Sequence, residues 1–140
     1  MNIDSIKNGY VIDHIPAGMA MEIYRVLKLK KLDCPVAMIM NAVSEKMGKK
    51  DIIKIDGEID LNLEALGYVA PDVTVNVIKN GTLSEKCHIE LPEKITNVIK
   101  CKNPRCITSV EPGINQVFKL TDKNSRVYRC IYCESESKGQ

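Results

Sequence analysis

The fold of this 140-residue chain depends on two short stretches near its C-terminus, CKNPRC at residues 101–106 and CIYC at residues 130–133. The cysteines are spaced C-x4-C and C-x2-C, with 23 residues between the two pairs. Such paired thiolates are typical ligands of tetrahedral zinc. Four sulfur ligands fill the coordination shell and leave no position open for water or substrate. The pattern therefore predicts one structural zinc ion bound by Cys101, Cys106, Cys130 and Cys133.

Disulfide bonds and a redox-active CxxC are the alternative interpretations of these cysteines. The first residues lack the apolar core of a signal peptide, which predicts a cytoplasmic protein, and persistent disulfides are rare there. A redox CxxC is expected near the start of a β-α-β unit rather than beside a second cysteine pair. Zinc is therefore favoured, and the isolated Cys34 and Cys87 are expected to be packing residues.

Length and punctuation divide the chain into two expected domains, residues 1–92 and residues 93–140, with the boundary at the LPEK stretch of residues 91–94. A segment of about forty residues rarely buries enough apolar surface to fold alone. Structural zinc contributes on the order of 10 kcal/mol and offsets that deficit. The net charge is only +2, and no apolar run approaches the length of a membrane span, so neither nucleic acid nor a membrane is an expected partner.

The front segment reads as β-α-β-β-α-β followed by one more strand. Its predicted elements are a strand at 10–15, a helix starting near Pro16 with an apolar stripe of Ala20, Ile23, Tyr24 and Leu27, a buried strand at 36–42, a strand at 51–55, a short helix from the N-cap Asp60 to the stop Gly67, and strands at 71–78 and 83–89. This order predicts an α+β fold, a ferredoxin-like antiparallel sheet with two helices on one face, followed by a small zinc-bound β domain. The opposite face of the sheet is then free for a partner or a ligand.

Lys50 and Lys54 are four residues apart on a predicted strand, so their side chains point to the same face. With Lys86 from a later strand they could form a pocket for a polyphosphate. The alternative is a solvated charged face, which the spacing alone favours because lysines on exposed strands usually bind no ligand.

Several stretches together carry a resemblance to a known family. They are VIDHIPA at 11–17, MGKKDIIKI at 47–55, AP at 70–71 with TVN at 74–76, LPEKI at 91–95, and NV at 97–98 ahead of the cysteine pairs. In this order they resemble the regulatory chain of aspartate carbamoyltransferase, nearly from end to end. The resemblance implies a chain without catalytic activity that binds effectors through its front domain and contacts a separate catalytic chain through its zinc domain.

The resemblance also implies a nucleotide site. Lys50, Lys54 and Lys86 match the family's phosphate-contacting lysines, His14 would lie near the phosphates, and Asp13 would accept a hydrogen bond from the ribose or the base. The base and sugar would be lined by Ile6, Val11, Asn76, Ile78 and Leu83. Gly81 departs from the larger side chain of many relatives, and His88 has no matching role and is expected at the surface.

The resemblance further implies the chain's partners. ATP and CTP would be the effectors, with UTP as a further candidate, and two regulatory chains would form a dimer through their front domains. Six regulatory and six catalytic chains would form a dodecamer that serves pyrimidine biosynthesis. Asn103 and Glu134 are the expected contacts to the catalytic chain, Arg105 departs from the commoner small polar residue, and residues 134–140 are expected to be disordered.

Two other classes of function compete with this interpretation. A zinc-ribbon nucleic-acid-binding protein would use the same four cysteines together with basic residues around them, such as Lys100, Lys102 and Arg129. An enzyme would need an activated nucleophile or an open metal position, and the sequence offers neither.

Overall fold

The computed structural model of the chain describes residues 6–138, apart from the side chain of Lys138. A five-stranded sheet lies in the front part, and a four-stranded sheet follows it. Within residues 6–138, no helix is long and apolar enough to cross a membrane. The elements of the front part are β1 (Gly9–Pro16), α1 (Ala20–Val26), a 3-10 turn (Leu29–Lys31), β2 (Val36–Ser44), β3 (Gly48–Ile55), α2 (Leu63–Val69), β4 (Thr74–Lys79) and β5 (Thr82–His88).

The front sheet is antiparallel and has the strand order β2-β3-β1-β4-β5. The first strand lies in the centre between β3 and β4, as expected for a ferredoxin-like β-α-β-β-α-β unit, and β5 extends the edge as a hairpin. Both helices pack on one face, where Ile23 and Leu66 join Ile12, Ile53 and Val75 in the core. The predicted fold class is confirmed.

The strand register of this sheet shifts at three places. One shift lies between Val77 and Ile78 on β4, in the pairing with β5, and the other two are β-bulges. One lies in β1 between Ile12 and Ile15, and the other lies in β2 between Ile39 and Ala42. Each contains a residue in the left-handed region, His14 with φ of 60° and Asn41 with φ of 62°. A bulge inserts an extra residue and re-aims the side chains around it. As a result Ile12 and Ile15, three residues apart, are both fully buried.

The buried carboxylate of Asp51 holds the second bulge and the start of α1 together. Its Oδ1 accepts a hydrogen bond from the backbone N–H of Asn41 at 3.0 Å. Its Oδ2 accepts from the N–H groups of Gly18 and Ala20, at 3.0 and 3.2 Å. Helix α1 therefore begins at Ala20 because a carboxylate from β3 caps it, and the predicted start near Pro16 is wrong, since Pro16 ends β1.

Two other details of the front part differ from the prediction. Strand β2 is an edge strand with no buried residue, not a buried strand, and Val43 is 89% exposed. Helix α2 is capped by Asn62, whose side chain accepts from the Ala65 N–H at 3.1 Å, rather than by Asp60. Gly67 lies inside α2, and a Cβ at this position would be 2.5 Å from the Glu90 carbonyl oxygen. The glycine permits close packing and does not end the helix.

The second sheet has the order β6-β7-β8-β9 and contains β6 (Lys94–Thr96), β7 (Val117–Asp122), β8 (Val127–Cys130) and β9 (Glu136–Lys138), with a short helix α3 (Ile107–Val110) before β7. Strands β7 and β8 form an antiparallel hairpin between the two cysteine pairs. The expected disorder after Glu134 is wrong for residues 136–138, because they pair with β8 as β9. Residues 139 and 140 lie outside the described residues.

Helix α2 lies between the two sheets, and all of its residues from Ala65 to Val69 are buried. The ring of Tyr68 meets that of Tyr128 on β8 edge to face, with centroids 5.2 Å apart. The Glu64 carboxylate accepts a hydrogen bond from the Thr96 N–H at 2.8 Å. The small sheet thus covers a helix of the front sheet, and the two sheets share one hydrophobic core.

Candidate metal centre and ligand-binding face

The four paired cysteines converge on one point. Their sulfur atoms all lie within 4.8 Å of one another. The Sγ atoms of Cys101 and Cys133 are 3.5 Å apart, and those of Cys106 and Cys130 are 3.7 Å apart. Zinc–sulfur bonds of about 2.3 Å in a tetrahedron place the sulfur atoms about 3.8 Å apart. The observed separations therefore fit one tetrahedral zinc ion with a closed shell, and the ion is structural.

Backbone hydrogen bonds fix the two loops that present these thiols. In the first loop the Cys106 N–H donates to the Asn103 carbonyl at 3.1 Å. The Asn103 side chain accepts from the Arg105 N–H at 3.0 Å. In the second loop the Glu134 N–H donates to the Cys130 carbonyl at 2.8 Å, and Glu134 has φ of 64°. Both residues that were expected to contact a catalytic chain therefore also shape the loops that hold the metal.

The environment of the thiols is different within each pair. Burial raises the pKa of Cys101 to about 12 and also raises the pKa of Cys130. The Thr108 hydroxyl, which donates to the Cys106 sulfur at 3.1 Å, lowers the pKa of Cys106. Hydrogen bonds with Ser135 lower the pKa of Cys133 to about 6. Each pair thus combines one thiol of lowered pKa with one of raised pKa, and a bound zinc ion would favour the thiolate form of both.

The expected nucleotide residues lie on the face of the front sheet that the helices leave open. Strand pairing places Lys54 opposite Val11, Val11 opposite Asn76, and Asn76 opposite Lys86, so these four form one row across β3, β1, β4 and β5. Directly opposed residues have Cβ atoms about 5 Å apart. The register thus places one lysine at each end of the row, with the apolar Val11 and the amide of Asn76 between them.

A second group at the end of β1 is held by polar contacts. The Lys50 ammonium lies 2.9 Å from the Asp13 carboxylate, and the two side chains remain partly exposed, by 17% and 21%. Burial by itself would raise the pKa of Asp13, but hydrogen bonds from Lys50 and from the His14 N–H outweigh it and hold the pKa below its ordinary value of 3.8. The His14 ring nitrogen Nδ1 lies 2.9 Å from the Thr74 hydroxyl. Lys50 shares its face with Lys54, as expected, but its ammonium is already paired with Asp13.

Except for Val11, which lies in the row, the apolar members of the expected site lie at the opposite end of the face. Ile78 on β4 is opposite Leu83 on β5, and Leu83 is 59% exposed. The Gly81 N–H donates to the Lys7 carbonyl at 2.9 Å, so the segment before β1 runs along the β4–β5 turn. Ile6 in that segment is buried. Ile6, Ile78 and Leu83 are therefore separated along the strands from the Asp13–Lys50 pair and His14.

Asn76 at the centre of the row is unusual among the described residues. Its Oδ1 atom is buried and has no hydrogen-bond partner. Leaving such an acceptor unpaired costs about 1–3 kcal/mol, and an unpaired buried polar group in a native structure calls for an explanation. A hydrogen-bond donor on a bound ligand would supply one.

The sequence interpretation missed Thr74, which orients His14 and lies opposite both Asp13 and His88. The signal was present, because Thr74, Asn76 and Ile78 alternate on β4 and therefore share one face. His88 is exposed, as expected. Cys34 and Cys87 are half-buried and pack against the core, which confirms their predicted role.

Comparison with known proteins gives a consistent result along the whole chain. Two family models match it, "Aspartate carbamoyltransferase regulatory chain, allosteric domain" over residues 1–90 and "Aspartate carbamoyltransferase regulatory chain, metal binding domain" over residues 93–140. An aspartate carbamoyltransferase regulatory chain of Clostridium botulinum is 51% identical over 139 residues, which are 99% of this chain and 95% of that relative. The regulatory chain of Bifidobacterium longum is 46% identical over 138 residues, 99% of each chain.

These matches decide between the classes of function. The relatives carry the name of a regulatory chain, and the front match is to an allosteric domain, so the chain is a non-catalytic subunit. The match to a metal-binding domain covers the four cysteines and agrees with their zinc geometry. A zinc-ribbon nucleic-acid-binding protein is not favoured. The chain belongs to the family of aspartate carbamoyltransferase regulatory chains.

Proposed function

We propose that this chain binds ATP and CTP on the open face of the front sheet and transmits their effect to the catalytic chain of aspartate carbamoyltransferase in pyrimidine biosynthesis. UTP is a further candidate effector. In this proposal residues 1–92 are the nucleotide-binding domain and residues 93–140 contact the catalytic chain. The protein acts in the cytoplasm, where this biosynthesis supplies nucleotides.

The unpaired Oδ1 atom of Asn76 carries the nucleotide proposal. It lies in the row that runs from Lys54 through Val11 and Asn76 to Lys86. An amide oxygen is an acceptor for an amino or hydroxyl group, such as those of a base or a ribose. Lysines at both ends of the row supply point charges for a polyphosphate. A ligand with both kinds of group is a nucleoside triphosphate.

The remaining expected residues fit the same ligand. Val11, Ile78 and Leu83 offer apolar surface for the base, with Ile6 packed behind them. Asp13 and His14 lie at the other end of β1 with Lys50, where sugar and phosphate groups would contact them. The sign of each nucleotide's effect depends on its different affinity for two quaternary states, since equal affinity would shift nothing.

The surface beside the zinc site is a suitable docking surface for the catalytic chain. Four large apolar side chains next to the metal-binding loops are 40–65% exposed, namely Ile107, Val110, Ile131 and Tyr132. Exposed apolar groups that cluster near one structural feature are typical of a protein interface. Asn103 and Glu134 lie on the same two loops and would provide polar contacts.

The open edge of β2 is a suitable surface for a second regulatory chain. Edge strands present unpaired backbone groups to a partner, and β2 also exposes Met40 and Val43 by 50% and 89%. A dimer of this kind would join two catalytic trimers, giving the dodecamer of six catalytic and six regulatory chains.

Titration calorimetry on the zinc-loaded chain tests nucleotide binding. We expect Lys54→Gln to weaken ATP and CTP binding by about tenfold, because a charge-assisted contact is lost. Lys119→Gln is the matched control, since Lys119 is an exposed lysine on β7 of the other sheet. Equal affinities in the two variants would contradict the assignment of the open face.

The aspartate saturation curve of isolated catalytic trimers tests regulation. Adding the zinc-loaded chain should give a complex whose half-saturation for aspartate changes with ATP or CTP. A complex that forms but shows no nucleotide effect would refute effector transmission, and a failure to form any complex would refute the docking surface as well.

A further inference from the structure

A cavity of about 560 Å³ lies at the phosphate end of the proposed nucleotide site. Its walls come from both sheets. His14, Lys86 and His88 line it from the front sheet, Lys46 lines it from the turn between β2 and β3, and Arg126 lines it from the turn between β7 and β8. A volume of this size lies within the range of small-molecule sites, about 300–1,000 Å³. The cavity is therefore large enough for a ligand that contacts both parts of the chain.

Most of the charged residues that line the cavity are cationic. Lys46, Lys86 and Arg126 are cationic, and His14 and His88 add two imidazoles that become cationic on protonation. Asp72 is the carboxylate among the lining residues. Groups of one sign around a concave surface concentrate the field and attract an oppositely charged ligand. The ligand chemistry that fits is therefore a phosphate or a chain of phosphates.

The cavity is continuous with the open face of the front sheet. Lys86 belongs to the row that contains Asn76, and His88 lies two residues further along the same strand, opposite Thr74. Thr74 in turn contacts His14 at 2.9 Å. Because residues two apart on a strand share a face, Lys86 and His88 point to the same side. A ligand on the row could thus extend its phosphates into the cavity.

The turn that carries Arg126 is fixed in place. The Asp122 carboxylate accepts hydrogen bonds from the N–H groups of Asn124 and Ser125, at 3.1 and 3.3 Å. Two residues after Arg126, Tyr128 packs against Tyr68 of α2. The strand that follows the turn is therefore held against helix α2, and Arg126 lines the cavity from a short, hydrogen-bonded turn.

We infer that this cavity is a phosphate subsite shared by the two sheets, in which Arg126, His88 and Lys46 bind phosphates beyond those held by His14 and Lys86. Its ligand is either the terminal phosphates of a nucleoside triphosphate on the open face or a free polyphosphate. The inference rests on the proposed function and adds to it a direct contact between the bound effector and the zinc-binding part of the chain. A nucleoside monophosphate would be too short to make that contact.

The test compares ATP, AMP and inorganic tripolyphosphate by calorimetry on the full zinc-loaded chain. Arg126→Gln and His88→Gln remove a subsite group from each sheet. Lys123→Gln is the control, because Lys123 lies in the same turn but does not line this cavity. It lines a neighbouring cavity of about 260 Å³, on the other side of Pro71, Asp72 and Arg126, which border both. We expect the first two variants to bind ATP about five- to tenfold more weakly than the control and to bind AMP as the control does.

Tripolyphosphate separates the two sources of phosphate. If tripolyphosphate binds the wild-type chain in the presence of AMP, and if Arg126→Gln weakens the binding of tripolyphosphate, a free polyphosphate occupies the subsite. If tripolyphosphate does not bind, and if Arg126→Gln and His88→Gln both weaken ATP binding, the subsite binds the terminal phosphates of the nucleotide. Either result supports the inference.

Unchanged ATP and tripolyphosphate affinity in both Arg126→Gln and His88→Gln would overturn the subsite, and Lys54-dependent ATP binding would then leave the proposed function intact. The opposite outcome, a subsite without nucleotide binding, can also be recognised. Tripolyphosphate binding that depends on Arg126, in a chain that binds neither ATP nor CTP, would keep the anion subsite and refute nucleotide regulation. Absence of binding by all three ligands would refute both.

Discussion

The two sheets are stabilised around opposite charges. In the second sheet four thiols gather around the position of one cation, within 4.8 Å of each other. In the front sheet one buried carboxylate, Asp51, gathers three backbone N–H groups from a bulge and from the start of a helix. The small sheet depends on a metal because about forty residues bury too little surface. The larger sheet needs only a local anion to fix an irregular edge.

This difference affects where function lies. All four thiols of the zinc site serve as metal ligands that hold the fold. No coordination position is left for water or a substrate. The open face of the front sheet instead retains an unpaired amide oxygen on Asn76 and several lysines. The first site stabilises structure, and the second has binding capacity left for a ligand.

The largest expected effect comes from removing a metal ligand. Cys130→Ser should release zinc and unfold residues 94–138, because structural zinc contributes on the order of 10 kcal/mol. The front sheet should remain folded, with α2 less protected where Tyr68 loses its cover. Zinc content per chain and amide hydrogen exchange, followed separately for the two sheets, provide the measurement.

Cys87→Ser is the matched control for this change, since Cys87 is half-buried and distant in sequence from the four ligands. It should keep one zinc per chain. Full zinc content in Cys130→Ser, or equal loss of protection in both sheets, would show that the sheets do not differ in their dependence on the metal.

The next effect concerns the carboxylate of the front sheet. Asp51→Asn replaces one accepting oxygen by an NH2 group that faces backbone N–H donors, and we expect it to lower the free energy of unfolding by about 3 kcal/mol. Asp56→Asn, at an exposed position just after β3, is the control. Urea denaturation followed by circular dichroism measures both, and a loss below about 0.5 kcal/mol for Asp51→Asn would remove this carboxylate from the comparison.

The sequence predicted the metal site more fully than the ligand face. Cysteine spacing is short-range information, and it identified all four zinc ligands. The ferredoxin-like antiparallel sheet was also predicted, from the β-α-β-β-α-β order of elements. The bulges at His14 and Asn41 were not predicted, because both residues adopt a left-handed conformation that no local turn signal marks.

Long-range contacts explain the other differences. Asp51 starts α1 from a strand that is 31 residues away along the chain. Gly67 reads as a helix stop in the sequence, but its role is set by the Glu90 carbonyl that packs against it. Strand β2 was predicted to be buried because residues 36–40 are all apolar, but it lies at the edge of the sheet and none of its residues is buried. In each case tertiary packing decides a feature on which local propensity gives a different answer.

A smaller effect with the opposite sign is expected at Asn76. Asn76→Val removes a buried acceptor that lacks a partner, so the ligand-free chain should gain about 1 kcal/mol in the free energy of unfolding. The same change should weaken ATP binding, since the amide is lost from the row. Thermal unfolding with and without ATP measures both. A variant that is both less stable and unchanged in ATP affinity would show that Asn76 is a structural residue.

The smallest effect concerns the Asp13–Lys50 pair and depends on pH. The folded pKa of Asp13 lies below its ordinary value of 3.8, so its carboxylate stabilises the folded state above that value and loses this contribution as the pH falls through the lower, folded pKa. The stability difference between wild type and Asp13→Asn should therefore be constant above about pH 5 and shrink below about pH 4, and it should stay under about 1 kcal/mol for a partly exposed pair. Zinc release at acidic pH affects both proteins equally, so the difference isolates the carboxylate. A difference that does not change with pH would mean that the charge of Asp13 contributes nothing to the fold, and Lys50 would then be free to turn from Asp13 to a bound phosphate at no cost in stability.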